Sequence, residues 1–180
     1  MKTFTMLLTL LIGCSTVFAA ETASPENAVL NPSFEDGTKN WGTLINAGKF
    51  NFSIDSVIFK SGKCSAKMEC TAINPKADGT WRQPKAWARW VQKVTVKPGA
   101  KYQFRCFART NKNAPGKVTI YITGNEKPDV IGFTQQLDGD RWIEVKNSTF
   151  KAKGKTAVIY VNYYGENSMW IDDVELIEIR

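Results

Sequence analysis

The sequence predicts an all-β protein, an antiparallel β-sandwich or jelly roll of about nine strands. Three observations predict it. Apolar and polar residues alternate through short segments that end in turn residues. No stretch after residue 20 keeps a 3.6-residue period. The chain has 180 residues, 43% hydrophobic and 12% aromatic, which suits one domain with a filled core.

The first segment is an address. Lys2 precedes an apolar run from Met6 to Ile12, and Val17 and Ala19 stand at the −3 and −1 positions of a cleavage. Residues 1–19 therefore read as a secretory signal peptide, and residues 20–180 as a single domain. In the alternative, Leu11-Ile12-Gly13-Cys14 is similar to a bacterial lipobox, whose cysteine becomes the lipid anchor. The product is expected to be secreted or periplasmic, or lipid-anchored to the cell surface through Cys14. No apolar run reaches the roughly 20 residues of a membrane-spanning helix.

The strands follow in order. Phe50, Phe52 and Ile54 alternate with polar residues, as do Cys64, Ala66, Met68 and Cys70. Val94 and Val96 lead into the turn Lys97-Pro98-Gly99. Tyr102, Phe104, Cys106 and Ala108 define a core face, and Gln103, Arg105, Phe107 and Arg109 the opposite one. Val118, Ile120 and Ile122 form the next strand, and 142–150, 156–164 and 169–178 close the set. The longest irregular stretch is expected at 73–89. It contains Trp81 and Trp87, with Trp90 just beyond, which argues for order and a role.

Composition removes several functions. The chain has no histidine, so Ser-His-Asp and Cys-His catalysis and imidazole metal sites are excluded. The formal charge is +7, falling by one if Lys2 leaves with the signal. Export makes nucleic acid an unexpected partner. Beyond Cys14, Cys64, Cys70 and Cys106 cannot all pair within one chain. Along an extended strand Cys64 and Cys70 would lie about 20 Å apart, so any bridge would use Cys106; three buried thiols are the alternative.

The outward faces carry the functional signal. Phe107 sits between Arg105 and Arg109; Thr119, Tyr121 and Thr123 lie opposite one core face, and Tyr160, Asn162 and Tyr164 opposite another. Aromatic rings stack on the apolar faces of sugars, while Arg, Gln and Asn take their hydroxyls. The loop tryptophans are expected to supply at least one further ligand contact.

These residues are set in a pattern that resembles the CBM4/CBM9/CBM22-like, or CenC-type, carbohydrate-binding modules, which share a galactose-binding-domain-like jelly roll. Leu30-Asn31-Pro32-Ser33-Phe34-Glu35-Asp36-Gly37 followed by Trp41 is similar to the family's opening. Ser61 to Met68 is similar to its third-strand motif, and Gln92 to Gly99 with Tyr102 and Phe107-Ala108-Arg109-Thr110 to its centre. Trp170-Ile171-Asp172-Asp173-Val174-Glu175-Leu176 is similar to its close. The resemblance implies polysaccharide binding in a cleft on one sheet, with a ligand-contacting arginine at Arg109 and further groups at Phe133, Gln135 and Gln136. It also implies a structural calcium held by Glu35, Asp172 and the carbonyl of Lys63.

The expectation is a non-catalytic, monomeric polysaccharide-binding protein. Its cleft is expected to join Arg109 and Tyr121 with Trp81, Trp87 or Trp90, and to include Gln103, Arg105 and Phe107. The ligand is either acidic, in keeping with the charge, or a neutral β-glucan or xylan. The alternatives are a small glycoside hydrolase or lyase, using carboxylates among Glu126, Asp129, Asp138, Asp140, Glu144 and Glu166, and a cell-surface adhesion protein.

Overall fold

The computed structural model describes residues 26–124, 130–146 and 149–179. The signal segment, Cys14, Glu126 and Asp129 lie outside the described residues. Among the described residues eleven strands follow one another: β1 (Gly42–Ala47), β2 (Lys49–Asp55), β3 (Ser65–Ala72), β4 (Trp87–Thr95), β5 (Lys101–Thr110), β6 (Gly116–Thr123), β7 (Val130–Leu137), β8 (Ile143–Lys146), β9 (Phe150–Lys151), β10 (Thr156–Tyr164) and β11 (Ser168–Ile179). They form two antiparallel sheets. One has five strands in the order β1-β4-β10-β6-β7; the other has six, β2-β3-β11-β5-β8 with β9 also paired to β5. This is the sandwich the alternation predicts.

Period two sorts each strand into an inner and an outer face. Tyr102, Phe104, Cys106 and Ala108 of β5 are buried, as are Val118, Ile120 and Ile122 of β6 and Ile159, Val161 and Tyr163 of β10. Trp90 is fully buried among Phe34 and Phe52, with ring centroids 5.7 and 5.1 Å away. It is a core residue and not a ligand contact, because β4 begins at Trp87 and its even positions face inward. The irregular stretch accordingly runs over 73–86 and is shorter than expected.

Gln92 hides the period in β4. It is an amide at a core position, satisfied by Leu30: its Oε1 accepts from the Leu30 N–H and its Nε2 donates to the Leu30 carbonyl, both at 2.8 Å. The expected single strand at 142–150 is two short ones, β8 and β9, which pair with successive parts of β5. Strands β1 and β7 are further elements, at the two edges of the five-stranded sheet. Cys64, Cys70 and Cys106 are all free thiols.

Candidate functional site

The outer face of the five-stranded sheet gathers the aromatic residues. Trp87 of β4 is directly opposite Tyr164 of β10, and the two rings stack at 5.2 Å with 17° between their planes. Tyr160 points the same way two places before Asn162, and faces Tyr121 of β6 across the next pairing. Beneath the rings, Asn162 is fully buried and fixed. Its Oδ1 accepts from Trp87 Nε1 at 3.1 Å, and its Nδ2 donates to the Thr119 carbonyl at 2.9 Å. The Trp87 indole is thus locked in one rotamer before any ligand arrives, which lowers the entropy lost on binding.

Two cations frame this platform. The Arg89 guanidinium lies 4.7 Å from the Trp87 ring and 5.3 Å from the Tyr160 ring. Its Nε and Nη2 both donate to Asn46 Oδ1 of β1, at 3.2 and 2.7 Å. Lys117 Nζ stands 5.0 Å over Tyr164. Burial, and then neighbouring Tyr121, push the Tyr164 hydroxyl up to about 12 against the pull of Arg89, so it stays protonated and can donate as well as accept. At β7, Gly132 leaves room for the Tyr121 ring, since a Cβ there would come within 2.7 Å of it.

The platform continues into a groove of about 340 Å³, lined by Trp81, Pro84, Lys85, Lys117, Gln136, Tyr164 and Glu166 among others. Trp81 is 74% exposed, with Arg82 5.0 Å from its ring. Of the residues expected in the cleft, the structure brings together Tyr121, Trp87, Trp81 and Gln136. Phe133 and Gln135 belong to the same strand as Gln136 but pair with Ile120 and Val118, the core positions of β6. Phe133 accordingly packs against Phe104 at 6.0 Å.

Arg109 is not with Tyr121. It lies on β5 of the six-stranded sheet, whose outer face points away from the platform. There its guanidinium is held between Trp142, 5.8 Å away, and Trp170, 5.7 Å away. Gln103, Arg105 and Phe107 share that sheet. Arg105 is ion-paired with Glu175 through Nε at 2.5 Å and Nη2 at 2.9 Å, and Phe107 lies under Lys60 at 4.6 Å. Period two puts these residues outward as expected, but it does not say which sheet a strand joins.

Glu35 and Asp172 converge on the 60–63 loop. Asp172 is fully buried; its Oδ2 accepts from the N–H groups of Lys60 and Ser61 at 2.8 and 3.2 Å, and its Oδ1 from the Asp173 N–H at 2.8 Å. Burial pushes its carboxyl up to about 6 against those hydrogen bonds. Glu35 Oε1 accepts from Lys63, which offers its N–H at 2.7 Å. The carbonyls of Ser33 and Phe34 are adjacent, both within reach of Cys64 Sγ. Hard carboxylate and carbonyl oxygens of this kind fit calcium. Among the described residues no three Asp, Glu, Cys or His side chains cluster, so carbonyls would have to complete the coordination shell.

The sequence profile of the carbohydrate-binding domain family CBM_4_9 matches residues 26–167. The chain belongs to this family. Solved structures agree on the module's fold. TmCBM61, solved with beta-1,4-galactotriose, is similar at 16% identity with a TM-score of 0.66, covering 86% of this chain and 99% of its own. The CBM22-1 xylan-binding domain of Paenibacillus barcinonensis Xyn10C is similar at 13% identity and a TM-score of 0.58, over 82% and 92%. A CBM4 structure is similar at 15% and 0.56, over 84% and 100%. No curated protein matches the chain.

Sequence reasoning placed Tyr160, Asn162 and Tyr164 on an outer face but missed Arg89, Asn46 and Lys117 as neighbours of this aromatic platform. Their signal was in the strand periods. Trp87, Arg89 and Val91 share one parity of β4, and Lys117, Thr119 and Tyr121 share one of β6.

Proposed function

We propose that the module binds polysaccharide on the outer face of the five-stranded sheet, without catalysing a reaction on it. The observation that carries this reading is the Trp87–Tyr164 stack, held rigid by Asn162 and continuous with Tyr160, Tyr121 and the groove under Trp81. Flat rings accept the C–H faces of successive sugar units, and the Tyr164, Asn46 and Gln136 side chains are polar enough for their hydroxyls. None of the five strands contains Asp or Glu, so the sheet face itself offers no carboxylate pair for hydrolysis.

The same reading places the protein outside the cytoplasm and gives it a structural calcium at Glu35 and Asp172. The test is a glycan array with the purified protein, repeated with Trp87→Ala. Binding in the parent and its loss in a folded variant is the expected result. Turnover of a bound glycan would replace the binding reading with an enzymatic one.

A further inference from the structure

Charge is divided unequally between the two sheets. Strands β1, β4, β6, β7 and β10 carry three charged side chains, Arg89, Lys93 and Lys117, all basic and all at outward positions. The other sheet holds Asp55, Glu69, Glu144, Asp172, Asp173, Glu175 and Glu178. Two of its cations are ion-paired within it, Lys67 with Glu69 at 3.1 Å and Arg105 with Glu175 at 2.5 Å, and Lys97, in the turn beside it, pairs with Glu178 at 2.6 Å. Among the described residues Arg89 and Lys117 form no ion pair. Their ring and hydrogen-bond contacts are with Trp87, Tyr160, Tyr164 and the neutral Asn46.

We propose that the ligand of this face is an anionic glycan, bearing carboxylate or sulfate, and that Arg89 and Lys117 bind its charges while the rings hold its sugar faces. The proposal rests on the reading of the face as carbohydrate-binding and names the ligand class. Arg89 spends Nε and Nη2 on Asn46, which fixes the guanidinium plane and leaves Nη1 to a ligand. A planar guanidinium suits carboxylate and sulfate oxygens. Lys117 lies two strands away and two residues along, about 12 Å by strand geometry, so the two cations meet different units of a chain. A neutral polymer would leave both cations without a counter-charge on five strands that hold no carboxylate, Glu166 lying beyond them in the lining of the groove that Lys117 shares. A charged polymer supplies it, and also gains from the positive field of Arg89, Lys93 and Lys117, which concentrates polyanions.

The experiment compares matched polymers by calorimetry with the full protein: polygalacturonate against its carboxyl-reduced form, and a sulfated galactan against its desulfated form. At least one acidic polymer should bind about tenfold or more tighter than its neutral counterpart, the size of one charge-assisted hydrogen bond. That preference should shrink as salt rises from low to several times physiological. R89Q and K117M should each lower the acidic-to-neutral ratio, whereas K101Q, on the other sheet, should leave it unchanged. Equal affinity for both members of each pair overturns the proposal and leaves carbohydrate binding standing. Loss of the ratio in K101Q as much as in R89Q overturns it too, as diffuse polycation behaviour. A single-stranded oligonucleotide that binds more tightly than every glycan, and is lost in W87A, overturns the proposal and the carbohydrate reading together.

Discussion

Trp87 and Arg109 are both stacked aromatic–cation residues, and the structure assigns them opposite consequences. Trp87 is half-buried at the open face, with its indole N–H already bonded to Asn162. Trp87→Ala should weaken glycan binding by about 1–3 kcal/mol, on the scale of aromatic stacking against nucleic-acid bases, with little change in melting temperature. Arg109 instead fills the gap between Trp142 and Trp170. Two such contacts contribute about 1–3 kcal/mol together, so Arg109→Ala should lower the melting temperature by several degrees and leave glycan affinity intact. Paired calorimetry and thermal melts decide both. An Arg109→Ala protein that melts normally but no longer binds would transfer the site to the six-stranded sheet. With no histidine in the chain and the Tyr164 proton held to about pH 12, binding to a neutral glycan should also be flat between pH 6 and 9. A steep change in that window would implicate a titrating group away from Tyr164.

At the scale of elements, alternation was legible wherever inner residues are large and apolar and outer ones polar. Strands β5, β6 and β10 follow that rule, and their inward and outward sets are those the sequence predicts. Strand β4 breaks it, because small Ala88 and amide Gln92 face inward while Trp87 and Val91 face outward. The edge strand β1 has most of its residues exposed and so carries almost no pattern. The larger gap was sheet membership. Strands β5 and β6 are consecutive yet belong to different sheets, so Arg109 and Tyr121 face opposite directions. Turns are more legible: Gly62 has φ of +66°, and a Cβ there would come within 2.1 Å of Glu35 Oε1. Gly62→Ala should therefore cost about 1 kcal/mol or more through backbone strain and displacement of Glu35. Urea denaturation measures it, and an unchanged midpoint would show that Glu35 is dispensable to the loop.

Across the whole molecule, the Glu35–Asp172 seam joins parts of the chain that are far apart in sequence. Residue 35 precedes the first strand, residue 172 lies in the last, and the 60–63 loop connects them through backbone N–H groups. A bulge between Asp172 and Glu175, with Asp173 at φ of +48°, lets successive carboxylates serve different partners: Asp172 the loop amides, Asp173 the hydroxyls of Ser33 and Ser61. A cation bound here would close the sandwich between its first and last segments, and would exist only in the folded state. Such a ligand stabilises by about 2.7 kcal/mol at a hundred times its Kd, or roughly 5–10 °C in a chain of this size. Excess chelator should lower the melting temperature by that order, added calcium should restore it, and Asp172→Asn should remove the response. The aromatic platform proposed to bind glycan is on the other sheet, so affinity measured well below the melting point should survive chelation. A melting curve indifferent to chelator and calcium would leave the two carboxylates as caps of the 60–63 loop, with the buried Asp172 charge balanced by amides alone.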